Sequence, residues 1–172
     1  YALSAKSVNA ELVVVPARDF GHDLEAMAAS VTDSTRVVFV ANPNNPTGTY
    51  QSDDAVQNFL DVLPSNVVAV IDEAYFEYVK EEAYPDGIDL LSSFPNLIVV
   101  RTFSKAYGLA GLRVGYAIAS DQITEVLNRV RHPFNVNSLA LIAAEAALTD
   151  ESFVVDSVSE NLKGLRQLES GF

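Results

Sequence analysis

Three polar clusters in this sequence each follow directly on an apolar, largely β-branched run, and between them they hold the groups for imine and phosphate chemistry. Lys105 lies in Arg101-Thr102-Phe103-Ser104-Lys105, just after Leu97 to Val100. A lysine in a pocket near other cations can lose its proton more easily than usual and form imines. Taken singly, a lysine is most often a solvated surface side chain. Asp72 follows Val67-Val68-Ala69-Val70-Ile71. A carboxylate at the end of a buried strand needs a partner, because an isolated buried charge is costly. A protonated ring nitrogen would satisfy it; so would a helix start or a buried salt bridge. Asn42-Pro43-Asn44-Asn45-Pro46-Thr47-Gly48 follows Arg36 to Val40. Its prolines and glycine fix an irregular backbone from which asparagines reach a ligand without bringing charge. A simple turn explains that segment equally well, and a cis bond at Asn45–Pro46 would suit either reading. Thr102, Ser104 and Arg113 are the side-chain types that hold a phosphate.

The elements that must position these groups are legible in outline. Five apolar runs read as strands: Leu12–Val15, Arg36–Val40, Val67–Ile71, Leu97–Val100 and Val114–Ala119. Their composition and bounding turn residues are those of buried strands in a largely parallel sheet. Helical patterns fill the gaps. They cover Asp23 to Ala29, Ser52 or Asp53 to about Leu63, Asp121 to Val130, an alanine-rich stretch Ser138 to Leu148 expected to be buried, and Asp150 or Glu151 to about Leu168. Alternation of strand and helix predicts a three-layer α/β/α sandwich, mostly parallel, with helices on both faces. In such sheets ligands bind beyond the carboxyl ends of the strands. The three clusters sit at just those ends, so they are expected to form one site.

Composition narrows the function classes. The chain has 172 residues, 49% hydrophobic, with 23 acidic against 11 basic side chains and a formal charge of −12. It is long enough for one domain with a real core. The acidic balance argues against nucleic acid and anionic membrane surfaces as partners. There is no cysteine, hence no disulfide and no thiol nucleophile. His22 and His132 lie far apart in turn-like contexts and read as solvated loop histidines, so no metal site is expected. Arg101, Arg129 and Arg131 read as surface or ion-pair arginines. No apolar run is long enough to span a bilayer, and a cytoplasmic location is expected. The chain starts at Tyr1 without a methionine and stops at Phe172 after a helical pattern, and is read as a piece of a larger protein.

Taken together, Asn44-Asn45-Pro46-Thr47-Gly48, then Asp72-Glu73-Ala74-Tyr75, then Ser104-Lys105 with Gly108-Leu109-Ala110-Gly111-Leu112-Arg113-Val114-Gly115-Tyr116 resemble the fold type I pyridoxal phosphate aminotransferases. The nearest likeness is to the histidinol-phosphate aminotransferase group, over essentially the whole chain. The resemblance implies roles. Lys105 matches the lysine that carries pyridoxal 5'-phosphate and moves the proton at the substrate Cα. Asp72 matches the aspartate paired with the pyridinium nitrogen, and Asn45 and Tyr75 match the pair that hydrogen-bonds the cofactor's phenolic oxygen. Ser104 and Arg113 match the phosphate-binding pair, with Thr102 adding a hydroxyl. Glu73 is expected to cap or point outward.

The resemblance further implies that residues 1–172 are an incomplete cofactor-binding large domain, the tail from about 150 being the helix that leads to a small domain. It implies a homodimer with shared sites, and a cofactor-ring aromatic and a substrate-carboxylate arginine outside these residues. Residues 1–172 alone are therefore not expected to transaminate. The implied reaction passes an amino group from histidinol phosphate to 2-oxoglutarate in histidine synthesis. The alternatives are an aromatic amino acid (phenylalanine) aminotransferase or a decarboxylase of the same group, and, from another class, a non-catalytic module that binds pyridoxal phosphate. The loop Arg131–Asn137 is either a lining of the substrate entrance or a helix-to-helix turn.

Overall fold

A computed structural model describes all 172 residues, Tyr1–Phe172. Four strands form one sheet in the order of the chain: β1 (Val37–Ala41), β2 (Val68–Asp72), β3 (Leu97–Thr102) and β4 (Gly115–Ala119). The first three are parallel, with Phe39 opposite Val70 and Val70 opposite Ile98. The fourth runs antiparallel to β3, pairing Thr102 with Gly115. Seven helices surround the sheet: α1 (Ala2–Ser7), α2 (Leu24–Ala29), α3 (Asp53–Val62), α4 (Gly87–Leu90), α5 (Asp121–Val130), α6 (Ser138–Leu148) and α7 (Glu151–Gly171). The α/β architecture with a mostly parallel sheet is as the strand–helix alternation predicts.

Local chemistry sets the boundaries. Side chains of Asp23, Ser52, Asn137 and Asp150 accept backbone N–H bonds at the starts of α2, α3, α6 and α7, satisfying amides that have no intrahelical partner. Asp53 and Asp54 in the first turn of α3 favour the positive end of its dipole, and Leu63 before Pro64 leaves the helix in extended conformation.

Strand alternation divides the core. Val40, Ala69, Ile71, Leu97 and Val99 face one side, where Leu24, Val56, Phe59, Leu60 and Leu90 of α2, α3 and α4 cover them. Side chains two residues apart share a face, so Phe39, Val70, Asp72, Ile98 and Thr102 point to the other. That second face carries α5 along one side and keeps an apolar hollow of about 730 Å³ against Phe39, Val70, Ile98, Ala117 and Val126. A smaller cluster of Phe103, Val114, Ala140 and Ala144 seats α6 on the segment after β3.

Two expectations are corrected here. Leu12–Val15 is not a strand: it is irregular, and Leu12, Val13 and Val14 are exposed. An extended run becomes a strand only by pairing, and no neighbouring strand lies beside it. The alanine-rich helix α6 forms with the expected bounds but is not buried as a whole. Ala140 and Ala144, four residues apart on one stripe, are packed, whereas Leu139, Leu141 and Ile142 face outward.

Candidate active site

The strand ends converge as parallel pairing requires. Ala41 is level with Asp72, and Asp72 with Val100, so the segments leaving β1, β2 and β3 start side by side. A cavity of about 320 Å³ opens there, lined among others by Asn45, Asp72, Tyr75 and Lys105. The Asn45 amide donates to the Tyr75 hydroxyl at 3.1 Å, and the Lys105 Nζ stands 5.0 Å from the centre of the Tyr75 ring. Asp72 Oδ1 accepts the Ala74 N–H at 3.1 Å, which turns the chain sharply after β2. A carboxylate, an amine, a phenol and a carboxamide from three separate segments thus face one small space.

The Asn42–Gly48 loop is held from below. Asn42 is fully buried and exchanges bonds with Gln51: its Oδ1 accepts the Gln51 N–H and its Nδ2 donates to the Gln51 carbonyl. The Tyr84 hydroxyl donates to the Asn42 carbonyl. Burial and the nearby carboxylates push the Tyr84 phenol far above its ordinary range, so it stays protonated and able to donate. Both Asn42–Pro43 and Asn45–Pro46 are cis.

Thr102, Ser104 and Arg113 sit on the segment around Lys105 without lining that cavity. The Thr102 hydroxyl accepts the Ser104 N–H at 3.1 Å. The exposed Arg113 donates to the Ala110 carbonyl at 2.8 Å and holds a left-handed backbone, φ 54°. Such a conformation is uncommon for a residue with a side chain and tends to occur at functional sites.

Glu73 is a correction: it does not point outward. It is 0% exposed and accepts two bonds from Arg101, at 2.9 Å from Nε and 2.7 Å from Nη2. Its other oxygen accepts the Gly87 N–H at the start of α4, 2.9 Å away, so a capping role is real. Arg101 also reaches Asp86 at 2.6 Å and lies over Phe76, its guanidinium carbon 3.6 Å from the ring centre. Burial pushes the Glu73 carboxyl upward, with Arg101 and the Gly87 amide pulling against it; burial also works to lower the Arg101 pKa, but Glu73 and then Asp86 together outweigh it and leave it raised. Glu73 follows Ile71 by two positions and Arg101 follows Val99 by two, so alternation sends both to the covered face. That parity was the sequence signal for this pair.

Two further residues of the cavity have no such local signal. Tyr1 reaches Asp72 with its hydroxyl. His22, half-buried, accepts the Ala41 N–H through Nε2 at 3.2 Å, so it is no solvated loop histidine. Burial lowers its pKa from the usual imidazole range. His132 is exposed, as expected.

A sequence model of the family described as Aminotransferase class I and II matches residues 1–172, the whole chain. The chain belongs to the class I and II aminotransferases. This aminotransferase chain is 55% identical over 172 residues to histidinol-phosphate aminotransferase 2 of Pseudomonas fluorescens, covering 100% of itself and 46% of that protein. It is 58% identical over the same span to histidinol-phosphate aminotransferase 2 of Ralstonia nicotianae, again 46% of the relative. Among solved structures it is similar to the histidinol-phosphate aminotransferase of Sinorhizobium meliloti in complex with pyridoxal-5'-phosphate. There the TM-score is 0.85 and the identity 35%, over 91% of this chain and 43% of the other. The aminotransferase chain thus spans about half the length of the curated relatives it matches.

Proposed function

We propose that this chain is the cofactor-binding part of a pyridoxal 5'-phosphate-dependent aminotransferase that takes the amino group of histidinol phosphate and gives it to 2-oxoglutarate. The observation that carries this reading is the convergence of Asn45, Asp72, Tyr75 and Lys105 on one cavity. The similarity of all 172 residues to part of the histidinol-phosphate aminotransferases supports it.

The donor set fits the cofactor. Asp72 offers a carboxylate to a cationic ring nitrogen. Asn45 and Tyr75, already bonded to each other, offer two donors to an anionic ring oxygen. Lys105 offers an amine for an aldehyde. Thr102, Ser104 and Arg113 supply two hydroxyls and a guanidinium for a phosphate from the segment beside Lys105. When bound, pyridoxal phosphate supplies a conjugated ring that accepts the electron pair released at the substrate Cα. Asp72 keeps the proton on the ring nitrogen, which sustains that pull. Asn45 and Tyr75 would hold the ring oxygen. The Lys105 amine, standing over Tyr75 and free of any carboxylate partner in the structure, holds the cofactor and then moves a proton at the substrate Cα.

We infer also that the full protein is a cytoplasmic homodimer whose sites are shared between subunits, with a small amino donor and a 2-oxo acid as its partners. No helix is long and apolar enough to cross a membrane. The test is a substrate screen on the purified full-length protein, following glutamate formation from 2-oxoglutarate. Histidinol phosphate is expected to be the strongly preferred donor. Preference for phenylalanine would transfer the reading to the aromatic enzymes. Cofactor capture with no turnover on any amine would mark a binding module.

A further inference from the structure

We propose that Tyr1 is a positioning residue of this site, its hydroxyl locking the Asp72 carboxylate in the orientation that receives a ring nitrogen. The inference rests on the cofactor reading above and deepens it.

The geometry follows from strand parity. Phe39 and Asp72 point to the same sheet face, Phe39 lying opposite Val70 and Asp72 two residues further along β2. Two residues along a strand rise about 6.6 Å and neighbouring strands lie about 4.8 Å apart, so that diagonal spans about 8 Å, within reach of one aromatic side chain. The Tyr1 ring stacks on Phe39, centroids 4.7 Å apart and planes 13° from parallel. Its hydroxyl reaches the far end of that span and donates to Asp72 Oδ2 at 2.6 Å, from a residue 71 positions away. Asp72 Oδ1 accepts from Ala74 N–H. Each carboxylate oxygen is therefore held from a different side, one by its own turn and one by Tyr1, and the carboxylate plane cannot rotate freely.

Each oxygen has a second lone pair. One bond from Tyr1 leaves Oδ2 able to accept another donor from the cavity that Tyr1, Asp72 and Lys105 all line. Burial, and then the adjacent carboxylate, hold the Tyr1 phenol protonated, far above its ordinary range. It therefore serves Asp72 as a donor and does not compete with it for the ring proton. A side chain that only filled space would need the ring and not the hydroxyl.

Tyr1→Phe in the full-length protein separates these roles, because it keeps the stack on Phe39 and removes only the oxygen. A bond to a charged group is worth roughly a 10-fold change or somewhat more. The expected result is a kcat lowered about 10-fold, an amino-donor KM and a melting temperature close to the parent's, and an altered visible absorbance of the bound cofactor. Phe39→Leu, which loosens the stack but keeps the hydroxyl, is expected to give a smaller effect of the same kind. Parent-like kcat and absorbance in Tyr1→Phe would overturn the proposal. So would a parallel loss of kcat, KM and melting temperature, the mark of a structural lesion. Failure of the parent itself to retain pyridoxal phosphate on Lys105 would overturn the cofactor reading, and this inference with it.

Discussion

Replacing Arg101 by Met is expected to be among the most damaging single changes to the fold. Its side chain is 8% exposed, and its guanidinium satisfies a Glu73 side chain that is 0% exposed. Removing it leaves a buried carboxylate with only the Gly87 N–H. Breaking one partner of a buried pair costs about 3–5 kcal/mol. At a urea slope of about 2 kcal/mol/M, the unfolding midpoint of this region falls by roughly 1.5–2.5 M. Asp86, at 36% exposure, also loses Arg101 but can turn to water, so it adds little. The double replacement Arg101→Met with Glu73→Met removes both charges and fills the space. It leaves mainly the Gly87 amide without its acceptor, a penalty of about 1–3 kcal/mol. The double variant is therefore expected to be more stable than Arg101→Met alone, against additivity. Urea unfolding of the full-length protein and its variants, followed by circular dichroism, measures this. Equal or lower stability of the double variant would refute the reasoning. It would mean that the Glu73–Arg101 bonds do not govern the packing behind Asp72.

Three further outcomes follow from the same structure. Burial lowers the His22 pKa, so above about pH 6.5 both folded and unfolded chains hold it neutral. As pH falls below that value the unfolded chain takes the proton first, and stability declines until the folded pKa is passed; His22→Gln, which can still accept the Ala41 N–H, is expected to flatten this part of a melting-temperature profile. A Cβ on Gly87 would meet Glu73 Oε1 at 2.6 Å and Val99 Cγ2 at 3.0 Å, so Gly87→Ala is expected to destabilise by about 1–3 kcal/mol in the same urea experiment. On the proposed cofactor reading, Asp72→Asn takes a charge-assisted acceptor from the ring nitrogen, and retention of pyridoxal phosphate by the full-length protein, measured by equilibrium dialysis, is expected to weaken roughly 10- to 100-fold.

What was legible in the sequence depended on how local its cause is. Asp72 and Lys105 could be placed because an apolar run and the turn after it are contiguous, and parallel strands bring such ends together without further information. Helices α2, α3, α6 and α7 could be bounded because a capping side chain lies within three residues of the amide it satisfies. Of the two readings of Glu73, capping held and pointing outward did not; its parity with Ile71 already favoured the buried side, but an acidic residue after a strand invites an exposed reading until a buried cation is found for it. Tyr1 and His22 depend on contacts across 71 and 19 positions, which no local pattern encodes. Leu12–Val15 and the outer side of α6 show the complementary limit. Their apolar character is real, but pairing and burial are decided by what lies beside them.

The central claim is that Lys105 carries the cofactor, and borohydride reduction of the full-length protein with pyridoxal 5'-phosphate, followed by peptide mass spectrometry, tests it most directly. The account predicts a phosphopyridoxyl group on the peptide containing Lys105, absent from Lys105→Ala. A label on Lys6, Lys80 or Lys163 in place of Lys105, or no label at all, would contradict it.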